Sequence, residues 1–184
     1  MAESAAVETI KPLFSADTIA QRVEALARDI AAAQLTDLII VAVLKGSFIF
    51  AADLIRALHR QGVHPEIDFM FLASYGDSAI SGGAVKVLRD VESALERRDA
   101  VIVDDILDSG RTLVFAKELL EARGARSVKT CILLDKQVTR AVPVTPDFTG
   151  FQCPPRFVVG YGMDLANRYR ELPFIGVLAK DEPS

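Results

Sequence analysis

Between residues 38 and 44 the chain reads Leu-Ile-Ile-Val-Ala-Val-Leu, an unbroken apolar run of strand length. Such a run fits a strand buried on both faces, as in a parallel sheet. Upstream, Ile19, Val23, Leu26 and Ile30 recur at helical spacing behind Ser15, a residue type that caps helices, so a helix is predicted from there to about Ala33. Lys45-Gly46-Ser47 breaks the apolar run, and a second helix is predicted to about Arg60. Further strands are predicted at 67–73, 84–88, 100–104 and 127–134, with a third helix from about Arg111 to a stop at Gly124. Strands alternating with helices through short connections predict an α/β fold, a mainly parallel central sheet flanked by helices.

The two ends have a different texture. Residues 1–12 read as a frayed tail. After Lys136, Pro143, Pro146, Pro154 and Pro155 fall close together around short strand-like pieces at 157–161 and 174–178. This predicts a small C-terminal hood folded over the sheet edge. With no repeat or linker in sight, residues 1–184 are expected to form one domain, its core at about 13–136 and its hood mainly at 137–184. A hydrophobic share of 51% against 25% charged residues fits a globular chain, and nothing in it suggests global disorder. The net charge of −4 is no electrostatic match for nucleic acid. Cys131 lies in an apolar run and Cys153 in a Pro-rich turn, so a buried thiol and a loop thiol are expected, and a reducing compartment fits. No basic segment followed by an apolar core opens the chain, and the apolar run at 38–44 is too short to span a bilayer, so no membrane partner and a cytoplasmic location are expected. His59 and His64 form no cluster with cysteine or paired acids.

The candidate chemistry concentrates in Val101-Ile-Val-Asp-Asp-Ile-Leu-Asp-Ser-Gly-Arg-Thr-Leu113. A β-branched strand leads into Asp104 and Asp105, and Asp108 follows just before Ser109-Gly110-Arg111-Thr112 opens a helix. Open α/β sheets bind ligands at the carboxyl ends of their strands, and a helix start offers free N–H groups and a positive dipole end to a phosphate. Carboxylates beside a phosphate cradle point to a substrate carrying phosphate, hydroxyls and a divalent metal. Taken alone, the acids could be solvated residues at a strand end, and Ser-Gly-x-Thr no more than a cap. No Walker A spacing occurs.

The segment 101–113 resembles the PRPP-binding signature of type I phosphoribosyltransferases. Val43-Leu-Lys-Gly-Ser47 is similar to the pyrophosphate loop of that family, and Ser74-Tyr-Gly76 to the start of its mobile lid. Leu134-Asp-Lys136 and Phe157-Val-Val-Gly-Tyr-Gly-Met-Asp164, continuing to Arg168-Tyr-Arg-Glu-Leu-Pro173, resemble the purine-binding part of the hypoxanthine(-guanine) phosphoribosyltransferases. The matches run in order from about residue 37 to 178. Each is weak alone; together they are specific.

The resemblance implies a type I phosphoribosyltransferase fold, and a role for each matched residue. Asp104 and Asp105 would face the ribose diol of PRPP and help hold Mg²⁺, with Asp164 as a further metal-side carboxylate. Purine-salvage members often carry Glu-Asp where this chain has Asp-Asp. Ser109, Gly110, Arg111 and Thr112 would wrap the 5′-phosphate. Lys45, after a non-proline cis bond from Leu44, would grip pyrophosphate with Gly46 and Arg170. Asp108 would take the proton from N7 of a 6-oxopurine as N9 attacks C1′. Lys136 would donate to the 6-oxo group, Phe157 would stack on the base, and the backbone of Val158 would read its edge. Ser74 and Tyr75 would begin the lid. The implied activity joins hypoxanthine, with guanine as second candidate, to PRPP, giving the 5′-mononucleotide and pyrophosphate. A homodimer or homotetramer is expected. A nucleotide-sensing transcriptional regulator on the same fold remains the alternative; a receiver-type signalling domain is discounted, because its acidic pair lies on the first strand.

Overall fold

The computed structural model describes residues 10–74 and 85–178. Its main sheet has six strands: β2 (Ile39–Leu44), β3 (Glu66–Ser74), β4 (Val85–Arg89), β5 (Asp99–Leu107), β6 (Ser127–Lys136) and β7 (Phe148–Cys153). They lie in the order β4-β3-β2-β5-β6-β7, parallel throughout except for β4, which runs against β3. Three helices accompany them: α1 (Ala16–Ala32), α2 (Phe48–Arg60) and α3 (Arg111–Ala122). A smaller sheet joins β1 (Ile10–Phe14), β9 (Ile175–Leu178) and β8 (Val158–Val159), all antiparallel.

The apolar run at 38–44 behaves as its composition requires. Along β2, successive side chains point to opposite faces. Ile40 and Ala42 join Val101, Val103 and Leu133 in a core under α1, α2 and the small sheet. Ile39, Val41 and Val43 join Ala100, Ile102 and the inner face of α3 in a second core. All five residues from Ile39 to Val43 are buried, which explains why the run shows no polar alternation. Ser15 caps α1 as expected, its Oγ accepting the N–H of Thr18 at 3.2 Å. Gly124, at φ +85°, closes the end of α3 by donating its N–H to the Glu121 carbonyl at 3.0 Å.

Three expectations need correction. The supposed frayed tail ends early, because Ile10–Phe14 is a strand paired with β9 and Phe14 stacks on Phe151 at 4.3 Å. The stretch after Lys136 is not all hood, because β7 extends the main sheet beside β6. Gly150 allows this approach: a Cβ there would lie 2.3 Å from the Leu133 carbonyl oxygen. Arg22 of α1 holds β7 from one face, donating to the Gly150 carbonyl at 2.8 Å and the Thr149 carbonyl at 2.5 Å. Cys153 is consequently buried at the end of a strand rather than carried on a loop, and burial raises its thiol pKa. Cys131 is buried as expected, and both thiols are free. No helix among the described residues is long and apolar enough to cross a membrane.

At its N-terminal edge the main sheet is tied by Asp99. The carboxylate accepts the Thr36 N–H at 2.7 Å, the Ser127 hydroxyl at 2.7 Å and the Arg126 guanidinium, with Nε at 2.9 Å. The Arg126 hydrogen bonds, more than any other contact, lower its pKa to about 2. A depressed carboxyl contributes stability above its unfolded value and loses it as pH falls through the folded one. Asp99→Ala should therefore cost about 2–4 kcal/mol near neutrality, since it strands three donors. Urea denaturation curves should show that deficit shrinking between pH about 4 and about 2.

Candidate active site

The connection after β2 leads to β3 on one side, whereas the connection after β5 leads to β6 on the other. The crevice between the carboxyl ends of β2 and β5 is thus a topological switch point, where open α/β sheets place their ligands. Two adjoining cavities occupy it, about 470 Å³ and about 260 Å³, and they share Leu44, Leu72, Asp105 and Ile106.

The smaller cavity is lined by Asp104, Asp105, Asp108, Ser109, Gly110 and Thr112, among others. β5 runs to Leu107, three residues beyond its expected end, so Asp104 and Asp105 belong to the strand and are held by its ladder. Asp104 is 8% exposed, and its Oδ1 accepts the Asp105 N–H at 3.0 Å. Burial pushes both carboxyls up, and for Asp104 the neighbouring Asp105 charge adds to the effect. Gly110 sits at φ +82° with no room for a side chain, since a Cβ would lie 2.4 Å from the Val142 carbonyl oxygen. Val142 in turn donates its N–H to the Ser109 carbonyl at 3.1 Å. The loop at the α3 start is therefore clasped from behind by residues 142–144. The Arg111 N–H lies 3.4 Å from the Ser109 Oγ. Arg111 itself is not among the lining residues, unlike its neighbours in the expected phosphate loop.

The larger cavity gathers Lys45, Gly46, Phe71, Lys136, Phe157, Val158, Asp164 and Arg170, with Met163. The peptide bond between Leu44 and Lys45 is cis, as the resemblance implied. Lys45 Nζ stands over the Phe71 ring at 5.7 Å from its centroid. Ser47 anchors this turn, donating to the Val43 carbonyl at 2.6 Å. Two glycines are required here: a Cβ on Gly46 would meet Asp105 Oδ2 at 1.8 Å, and a Cβ on Gly162 would meet the Gly46 carbonyl oxygen at 2.1 Å. Gly162, at φ +101°, also accepts Arg170 Nη1 at 2.6 Å. Phe157 is 43% exposed, an apolar face left open beside the cavity, while Val158 is buried in β8.

Two pairings lay beyond sequence reasoning. Lys136 Nζ donates to Asp108 Oδ2 at 3.0 Å, joining the expected base-side lysine to the expected proton acceptor. Arg170 Nη2 pairs with Asp164 at 2.6 Å, and Asp164 also accepts the Asn167 N–H at 2.7 Å. Asp164 is thus engaged within the small-sheet region, and no three acids or other ligating side chains cluster around a metal position among the described residues. Ser74 ends β3, and Tyr75 lies outside the described residues. Phe71 was missed, because no local motif marks it and β3 brings it to the cavity from a distant part of the chain; Gly162 and Met163 lie inside the quoted 157–164 segment but were given no role of their own.

A sheet switch point carrying buried acids, a helix start and a cationic rim belongs to a recognisable class. The family model described as phosphoribosyl transferase domain matches residues 11–165. The chain therefore belongs to the phosphoribosyltransferase family. It is 44% identical over 169 residues to the hypoxanthine-guanine phosphoribosyltransferase of Bacillus subtilis (strain 168), covering 91% of this chain and 92% of that protein. It is 43% identical over 169 residues to the bifunctional protein TilS/HprT of Listeria innocua, of whose length it spans only 26%. A crystal structure of a hypoxanthine-guanine phosphoribosyltransferase from Bacillus anthracis superposes with a TM-score of 0.86 at 40% identity, covering 92% of this chain and 99% of that one.

The acidic pair has a testable consequence for stability. A carboxyl whose folded pKa is raised loses stability as pH climbs from the unfolded toward the folded value, so burying the acidic pair carries a penalty at neutrality. Asp104→Asn keeps the acceptor for the Asp105 N–H and removes the charge. Without added metal it should stabilise the protein by on the order of 1 kcal/mol at pH 7–8. Thermal unfolding should show this gain vanishing below pH about 4.

Proposed function

We propose that the chain transfers the 5-phosphoribosyl group of PRPP to N9 of a 6-oxopurine, hypoxanthine or guanine, releasing pyrophosphate. One observation carries this reading: a cavity built from paired acids and a helix start opens, through the shared Asp105, into one carrying Lys136, Phe157 and Arg170. The pair of compartments suits a phosphorylated pentose on one side and a flat, polar-edged base on the other.

In the smaller compartment, the amides and hydroxyls at Ser109, Gly110, Arg111 and Thr112 hold the 5′-phosphate, Arg111 by its backbone. Asp104 and Asp105 accept from the ribose hydroxyls. Their burial also favours a divalent cation, which relieves two crowded negative charges; Mg²⁺ suits such hard oxygens and takes few protein ligands when a substrate supplies the rest. Asp104 and Asp105 would hold it, directly or through water, with Asp164 as a further carboxylate in the adjoining cavity. When bound, it supplies positive charge against the departing pyrophosphate. Lys45, the Gly46 backbone and Arg170 support the same leaving group from the protein.

In the larger compartment Phe157 stacks on the base and the Val158 backbone meets its edge. The Lys136–Asp108 pair anticipates the substrate: a 6-oxopurine presents an acceptor at O6 and an N–H at N7, so each member exchanges its partner for the base. As the N9–C1′ bond forms and the bond from C1′ to pyrophosphate oxygen breaks, Asp108 receives the N7 proton. A 6-amino group would meet the Lys136 ammonium donor to donor, which disfavours adenine. The chain acts as one domain with its small sheet over the strand ends, as a homodimer or homotetramer in the cytoplasm. The free thiols fit that compartment.

No observation of the site favours the nucleotide-sensing regulator. Incubation with PRPP, Mg²⁺ and each of hypoxanthine, guanine, xanthine, adenine and uracil tests the reading; product should form with the first two, and none with any base would overturn it. Asp108→Asn should lower turnover by ~10²–10⁴. Isothermal titration should find PRPP binding nearly unchanged in that variant.

A further inference from the structure

Arg140, on the connection between β6 and β7, is assigned no part in the chemistry above, yet its guanidinium links both compartments. Nη2 donates to the Asp135 carboxylate, and Nη1 donates to the Val144 carbonyl at 2.7 Å. Asp135 is 8% exposed and immediately precedes Lys136; its other oxygen accepts Gln152 Nε2 of β7 at 3.0 Å. Val144 packs behind the phosphate loop, where its Cγ1 would lie 3.1 Å from a Cβ on Gly110. Two residues earlier, Val142 bonds the Ser109 carbonyl. One planar fork thus spans from the strand end that carries Lys136 to the wall that shapes residues 109–110. Its Nε–H is buried and has no hydrogen-bond partner among the described residues.

We infer that Arg140 is a positioning residue that couples the base compartment to the phosphate compartment, setting Lys136 and the Ser109–Gly110 turn in register with each other. The inference rests on the proposed activity for its kinetic readout, but not for its structural one. A two-ended guanidinium can hold both walls, whereas an ammonium can hold only one. Arg140→Met should raise KM for both PRPP and the purine by roughly tenfold, with kcat changing much less. Arg140→Lys keeps a cation against Asp135 but loses the reach to Val144, so the purine KM should recover while the PRPP KM stays raised. A role in folding alone would lower the unfolding temperature of both variants without dividing the two constants.

The second measurement needs no turnover. Gln152 reaches the phosphate loop through Asp135 and Arg140, so inorganic phosphate added to the wild-type protein should shift its side-chain amide resonances. In Arg140→Met the shift should disappear while the amides of Ser109 and Gly110 still respond. Absence of product from the wild type would refute the proposed activity and leave this resonance test standing. Unchanged KM values in Arg140→Met, a loss confined to kcat, or a Gln152 signal indifferent to phosphate in the wild type would each overturn the coupling role.

Discussion

Two carboxylates at the end of a strand buried on both faces set the terms for everything around them. Asp104 and Asp105 continue β5, whose preceding residues Ala100 to Val103 are fully inaccessible. An acid placed there cannot be solvated as it would be on a surface, so its charge is costly unless a cation or a set of donors comes to it. The fold supplies such a place at the switch between β2 and β5, and keeps it narrow. Gly46 lies so close to Asp105 that no side chain fits between them.

The period-two division of the central strands explains how distant segments arrive at the same crevice. One face of β2, β5 and β6 buries α1, α2 and the small sheet in a single core; the other buries α3. The α3 start therefore reaches the acids from one side, while the turn at 160–164 reaches them from the other. Tyr161 strengthens the second approach, its hydroxyl donating to Asp53 of α2 at 2.7 Å. The Gly162–Gly46 contact then fixes the separation between the Lys45-Gly46-Ser47 turn and the Asp164–Arg170 pair. Packing, rather than chain proximity, sets the spacing of the cationic rim.

Much of this was readable from residue order. The run at 38–44, the helix behind Ser15 and the turn at Lys45-Gly46-Ser47 follow from patterns spanning a few neighbours. The segment 101–113 showed its strand, acids and helix start in one stretch. Less was readable where an element depends on a partner. β7 has a glycine in its middle and prolines on either side, so it resembles a loop until β6 and Arg22 are seen to satisfy its backbone. β1 is short and near the chain start, and only β9 makes it a strand. Cys153 inherits its burial from that same misread segment.

The order of residues alone determined the α/β alternation, the buried strand core and the identity of the acids and cations available for chemistry. These rest on local periodicity and turn preferences, which neighbours in the chain impose on one another. Tertiary structure decided which of those groups meet: that Lys136 pairs with Asp108, that Arg170 holds Asp164, and that Arg140 bridges two walls. Such pairings depend on distances between elements set by core packing, and side-chain identity carries no record of them.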